Sequence, residues 1–253
     1  MNHLLKRNFT PYFSAALDII YPRCCLVCGK ALNLQERHIC LSCSSDFPYT
    51  HFETDSHNRM ARFYNERLCE RFPDTYFPYQ YAISLLRYRA DDPYSRIPWA
   101  LKFQRNFAAG EYFSHLLAQK ILQAPYLQGI DLILPVPQHP IRRWKRGYNQ
   151  AEVIARCLAE DLNVALESKL LIKSRYTRSQ VGVDTARRNA NVSSSFALSE
   201  SRRSVLEGCH HILLVDDVFT TGATLSECHK TIRAISLDET VRISVATLAC
   251  AEN

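Results

Sequence analysis

The stretch that most constrains the fold is His211-Ile-Leu-Leu-Val-Asp-Asp-Val-Phe-Thr-Thr-Gly-Ala-Thr224. Its apolar, β-branched run from Ile212 to Val215 predicts a strand buried on both faces, as in a parallel sheet. Two carboxylates follow, Asp216 and Asp217. Successive strand residues point to opposite faces, so the pair is expected to occupy two different environments. A hydroxyl-rich turn comes next, Thr220-Thr-Gly-Ala-Thr224, and the residues from Leu225 to Ile235 carry helical spacing. Strand, acidic pair, turn and helix together describe an anion site. The turn offers backbone N–H groups and hydroxyls at the positive end of a helix dipole, and Gly222 lets a ligand approach with no Cβ in the way. The lysine and spacing of a P-loop are missing. The same pattern also suits an ordinary strand-to-helix turn capped by threonine.

An acidic pair beside a phosphate turn matches the vicinal hydroxyls of a ribose, so a 5-phosphoribosyl group fits the layout. The segment Val215-Asp-Asp-Val-Phe-Thr-Thr-Gly-Ala-Thr224 also resembles the phosphoribosyl pyrophosphate (PRPP) signature of type I phosphoribosyltransferases. The resemblance implies that Asp216 and Asp217 hold the ribose hydroxyls. It implies that Thr220, Thr221, Gly222, Ala223 and Thr224 cradle the 5-phosphate.

A second strong signal lies near the N-terminus. Cys25-Leu-Val-Cys28 and Cys40-Leu-Ser-Cys43 are two C-x₂-C knuckles, whose spacing predicts a structural Zn²⁺ site of zinc-ribbon type. Cys24 and His38 are alternative ligands. Four thiolates leave no open coordination position, so the site is expected to be structural. No apolar run approaches membrane-span length, and the N-terminus makes a poor signal peptide. The ten cysteines are therefore expected as reduced thiols in a cytoplasm, some of them on metal. The net charge of +6 is mild, so its distribution matters more than its sum.

Three regions are expected: an N-terminal helix and ribbon over 1–50, an aromatic connecting region over 51–95, and an α/β domain over 96–253. Leu4, Phe9, Phe13 and Leu17 place an amphipathic helix, broken near Pro11, at the start. Cys69 is expected to be buried. Tyr81 to Tyr88 reads as a strand and Trp99 to Leu122 as a helix with a weak point at Gly110. Leu132 to Val136 reads as a strand running into a loop, Gln138 to Tyr148, that holds Arg142, Arg143, Lys145 and Arg146. Asn149 and Glu152 have capping-box spacing for a helix from Ala151 to Leu162. Lys173 to Ser195 is polar and aperiodic and reads as a long mobile loop, with Arg187 and Arg188 near its end. Val241 to Leu248 is the final strand.

The chain as a whole resembles the ComF family of competence proteins, which join a zinc ribbon to a type I phosphoribosyltransferase-like domain. The resemblance rests on the knuckles, Leu101-Lys-Phe103, the segment from Pro135 to Gln150, Thr177-Arg-Ser-Gln180, Arg187-Arg-Asn-Ala-Asn-Val192 and the PRPP signature. It implies a type I phosphoribosyltransferase-like fold with a mostly parallel sheet. It implies PRPP bound with Mg²⁺ and a role in DNA uptake and natural transformation, on single-stranded DNA. It also implies a place in the cytoplasm, peripheral to the inner membrane without stable insertion, among competence or recombination proteins. Arg142, Arg143 and Lys145 are the candidates for holding the pyrophosphate. Arg146, Arg187 and Arg188 are the candidates for DNA, with Trp144, Tyr148 and Tyr176 available to stack on bases. A working phosphoribosyltransferase of nucleotide metabolism and a zinc-ribbon binding module without chemistry are the other readings.

Overall fold

A computed structural model describes residues 23–89, 91–173, 196–234 and 241–252. The N-terminal amphipathic segment and most of the polar stretch after Lys173, with Tyr176, Arg187 and Arg188, lie outside the described residues. In chain order the elements are α1 (Leu41–Ser45), α2 (Arg59–Arg71), β1 (Ala82–Tyr88), α3 (Arg96–Phe103), α4 (Phe107–Gln123), β2 (Leu132–Pro135), α5 (Pro140–Arg146), α6 (Gln150–Leu162), β3 (Ala165–Leu166), β4 (Leu171–Lys173), β5 (Phe196–Leu198), β6 (His211–Phe219), α7 (Ala223–Arg233) and β7 (Arg242–Ala251).

Five strands form one parallel sheet in the order β1-β7-β6-β2-β3. The run that opened the sequence argument is its central strand, and Ile212 to Val215 are fully buried. Alternation along the strands sends Ile133, Leu213 and Val215 to one face and Leu132, Leu134, Ile212 and Leu214 to the other. The first face packs on α3, α4 and α6 through Leu101, Phe113, Leu117, Ile154 and Leu158. The second packs on α2 and α7 through Tyr64, Leu68, Leu225 and Ile232. The result is a three-layer α/β fold. β4 and β5 make a separate antiparallel pair.

The topology positions the site. From β2 the chain crosses through α6 to β3 on one side. From β6 it crosses through α7 to β7 on the other. Strands β2 and β6 are neighbours whose connections leave in opposite directions, so the crevice beyond their carboxyl ends is a topological switch point.

Several local expectations need correction. The helix expected from Trp99 to Leu122 is two helices, and the break lies at 104–106, not at Gly110. Asn106 caps α4 by accepting from Ala109 N–H at 3.1 Å, and Arg105 takes a left-handed φ of 55°. Gly110 instead lets the helices touch, since a Cβ there would sit 2.7 Å from Leu101 Cδ1. The basic loop contains a helix, α5, with Pro140 in its first turn and Gly147 at φ 82° closing it. Asn149 precedes α6 but does not cap it with its side chain; its Nδ2 donates to Val136 O at 3.0 Å, and Glu152 turns to Arg143 and Arg156. Cys69 is exposed, on the outer face of α2.

Candidate functional site

β6 is longer than β2. The last contact between them is Val136 N–H donating to Val215 O at 2.8 Å, and β6 then runs on through Asp216 and Asp217 paired only with β7. Both carboxylates therefore face the same cavity of about 360 Å³, together with Thr220 and Thr224. The expectation of separate environments fails here because no strand lies beside β6 on the β2 side past Val215. Asp217 N–H donates to Asp216 Oδ1 and Val218 N–H to Asp217 Oδ1, each at 2.9 Å, which orients both groups. Burial, and then the adjacent Asp217 charge, push the Asp216 carboxyl well above the usual carboxylate range.

Past Phe219 the chain turns through Thr220 and Thr221 into α7. The residue capping that helix is Gly222, at φ 69°, and no side chain caps it. A threonine-capped turn is thus not what the structure has; the first amide groups of α7 lack the side-chain acceptor such a cap would supply. The turn is anchored from outside. Arg67 Nε donates to Thr221 O at 3.2 Å, and Ser226 Oγ donates back to Gly222 O at 2.8 Å.

The same cavity is lined by three cations from three separate segments: Lys102 of α3, Arg146 of α5 and Lys173 of β4. Arg146 Nη1 donates to Gln150 Oε1 at 3.3 Å. Gln150 is only 4% exposed, and among the described residues its Nε2 has no hydrogen-bond partner. Of the other basic residues singled out from the sequence, Lys145 is exposed. Arg143 lies 3.6 Å from Glu152 and lines a different cavity, of about 640 Å³. The side chain of Arg142 lies outside what the structure describes. Tyr148 is engaged elsewhere, packed edge-on against Phe107 with its hydroxyl donating to Leu101 O.

The cysteine cluster forms as its spacing predicts. The Sγ atoms of Cys25, Cys28, Cys40 and Cys43 lie within 4.8 Å of one another, and Cys28 and Cys40 are 3.7 Å apart. Tetrahedral zinc–thiolate geometry puts sulfurs about 3.8 Å apart, so the four could hold a zinc ion. Burial pushes the Cys25 thiol up, but amide donors from Cys28, Cys40 and Val27 outweigh it and bring its pKa to about 7. Burial and the neighbouring thiols push Cys43 up. His38 is not part of the cluster; its ring packs on Tyr112 at 5.3 Å.

Comparison with known proteins agrees with this architecture. No family model matches the chain. It is 30% identical to "Competence protein F" of Haemophilus influenzae over 58% of its own length and 65% of that protein. It is 29% identical to "DNA utilization protein YhgH" of Escherichia coli K12 over 80% of its length and 81% of the relative. The Salmonella typhi protein of the same name is 31% identical, over 59% of the chain and 64% of the relative. The matches to the Haemophilus and Salmonella proteins thus span just under two thirds of those relatives. Its homologues are thus proteins named for competence and for DNA utilization, at about 30% identity. Among the described residues no helix is long and apolar enough to cross a membrane.

Sequence reasoning reached the acidic pair, the turn and the knuckles, because each is a local pattern. It missed Gln150, Lys102 and Lys173 as site residues. Lys102 and Gln150 do lie inside the segments that carry the family resemblance, Leu101-Lys-Phe103 and 135–150, and that was the available signal. Lys173 had none.

Proposed function

We propose that the chain binds PRPP at the end of β6 and acts in DNA uptake, where it handles single-stranded DNA. The observation that carries the PRPP reading is the composition of one cleft. An acidic pair, the uncapped start of a helix, and the cations Lys102, Arg146 and Lys173 line it together. In this reading the 5-phosphate takes the amides of the Thr220–Thr224 turn and the ribose hydroxyls take Asp216 and Asp217. The pyrophosphate, with Mg²⁺, takes the three cations. Opposed charges of this kind suit a ligand that is anionic at both ends and hydroxylated between. The DNA part rests on the relatives, named for competence and for DNA utilization.

Thermal-shift titration tests the first part, because a ligand of the folded state raises the melting temperature by mass action. PRPP in millimolar Mg²⁺ should raise it, and more than ribose 5-phosphate or pyrophosphate alone. Replacing Asp216 and Asp217 together with Ala should weaken binding by roughly 2–4 kcal/mol, the loss expected for charge-assisted hydrogen bonds. A melting temperature indifferent to PRPP in the wild-type protein would sink the reading.

A further inference from the structure

A larger groove, of about 750 Å³, adjoins this cleft. One wall is the cysteine ribbon at Cys24, Cys25 and Leu26; the other is α3. It shares the lining residues Tyr88, Lys102 and Val218 with the cleft, so the two spaces are neighbours. The groove is held open by the fold itself. Arg96 Nη1 donates to Val27 O at 2.8 Å, and Tyr94 hydroxyl donates to Cys43 O at 2.8 Å, which pins the ribbon to the start of α3.

The α3 wall has an unusual face. Ile97, Ala100 and Leu101 are buried in the core, yet Trp99 and Phe103 on the opposite side are 49% and 56% exposed. Four residues apart, they fall on one helix face, with ring centroids 5.6 Å apart. Two cations flank the Phe103 ring: Arg146 Cζ lies 5.1 Å and Lys102 Nζ 5.7 Å from its centroid. Exposed rings among positive charges, beside a phosphate-sized site, suit a base with its backbone phosphates. An apolar helix would gain nothing from the cations.

We propose that the groove between the ribbon and α3 is a binding site for single-stranded DNA, in which an unpaired base stacks on Trp99 and Phe103 while Lys102 and Arg146, when PRPP does not occupy them, meet its backbone. The proposal rests on reading the chain as a DNA-handling protein and names where the strand lies. A duplex hides the faces of its bases, so it should bind this surface less well.

The chain has two tryptophans, Trp99 and Trp144, so Trp144→Phe makes Trp99 the sole indole reporter. Trp144 is 84% exposed, and the replacement is expected to fold. In that background oligothymidylate should quench Trp99 emission. An abasic strand of equal length, with the same phosphates and no bases, should leave it nearly unchanged. Trp99→Ala and Phe103→Ala, each made in the wild-type chain, should weaken binding of a labelled oligothymidylate roughly 5- to 100-fold, the range for losing one stacked base. Both variants should keep the wild-type circular dichroism and the wild-type melting shift with PRPP. Absent oligonucleotide binding, binding that leaves Trp99 emission unmoved, or equal affinity for the abasic strand would each overturn the proposal. If Trp99 responds to the oligonucleotide but the wild-type protein shows no shift with PRPP, the groove stands and the PRPP reading falls. The reverse result separates them the other way.

Discussion

Asp216 is a carboxylate that the fold makes uncomfortable. It is half buried at the end of β6 with a second carboxylate beside it, and both effects favour its protonated form. A native state that holds this proton more tightly than the unfolded chain loses stability as pH rises from the ordinary carboxylate value through the raised one. Asp216→Asn keeps the shape and removes the charge. It should therefore raise the melting temperature at pH 7, by roughly 2–4 °C for about 1 kcal/mol in a chain of this size. The gain should vanish near pH 4 and below, where the wild-type carboxyl is already neutral. The same variant should lose its melting shift with PRPP. Melting curves at pH 4 and pH 7 decide the matter: a variant less stable than wild type at pH 7 would make Asp216 a structural group. At this scale the sequence was most legible where chemistry is consecutive, as in Asp216-Asp217 and Thr220-Thr-Gly222. It was least legible for Lys102 and Lys173. A lone lysine ending a helix or strand carries no local mark, and only the crossing of separate segments brings these two to one cleft.

Among the elements, the boundaries that sequence reasoning misplaced all have a physical signature. The basic run from Arg142 to Arg146 drew attention as charge, yet the signals of a short helix flank it: His139 accepting from Ile141 N–H, Pro140 in the first turn, and Gly147 in the left-handed region. Gly110 read as a weak point because glycine disfavours helix by about 1 kcal/mol relative to Ala. In the structure it is the point of closest approach between α3 and α4. Gly110→Ala gains that propensity but drives a methyl to within 2.7 Å of Leu101 Cδ1. Leu101 is buried, so it has little room to yield. The overpacking should win, for a net destabilisation of about 1–2 kcal/mol in urea denaturation. Trimming the obstacle in Gly110→Ala/Leu101→Val should recover part of it, through non-additivity between touching residues. Stabilisation by Gly110→Ala alone would show that the two helices are not locked together here. Because α3 also carries Trp99, Lys102 and Phe103, this contact sets how the groove and the cleft face each other.

The whole molecule is less divisible than two cysteine knuckles ahead of an α/β pattern imply. Cys25, Val27, Ile39, Cys40 and Phe47 belong to the same buried cluster as Ile83, Leu213 and Val215 of the sheet and Phe113 of α4. The chain leaving the ribbon then runs along the outer edge of β1. Thr50 N–H donates to Leu85 O at 3.2 Å and Arg87 N–H to Pro48 O at 3.0 Å, which covers an edge strand that would otherwise be open. None of this was legible beforehand, since a four-cysteine site reads from spacing alone while its docking partner is an alternating strand far along the chain. If the four thiolates hold zinc, the metal organises the ribbon end of a shared core. Cys40→Ser with Cys43→Ser should release about one Zn²⁺ per chain, measured by elemental analysis. The loss should lower the melting of the sheet domain together with that of the ribbon, in a single transition followed by far-ultraviolet circular dichroism and, in the Trp144→Phe background, by the emission of Trp99, which stands on α3 rather than in the ribbon. Tight coupling is expected because removing the ribbon's order exposes Phe113 and its neighbours on the first face of the sheet. Two separated transitions, with the α/β part melting as in the wild type, would show instead that the ribbon folds as an independent unit.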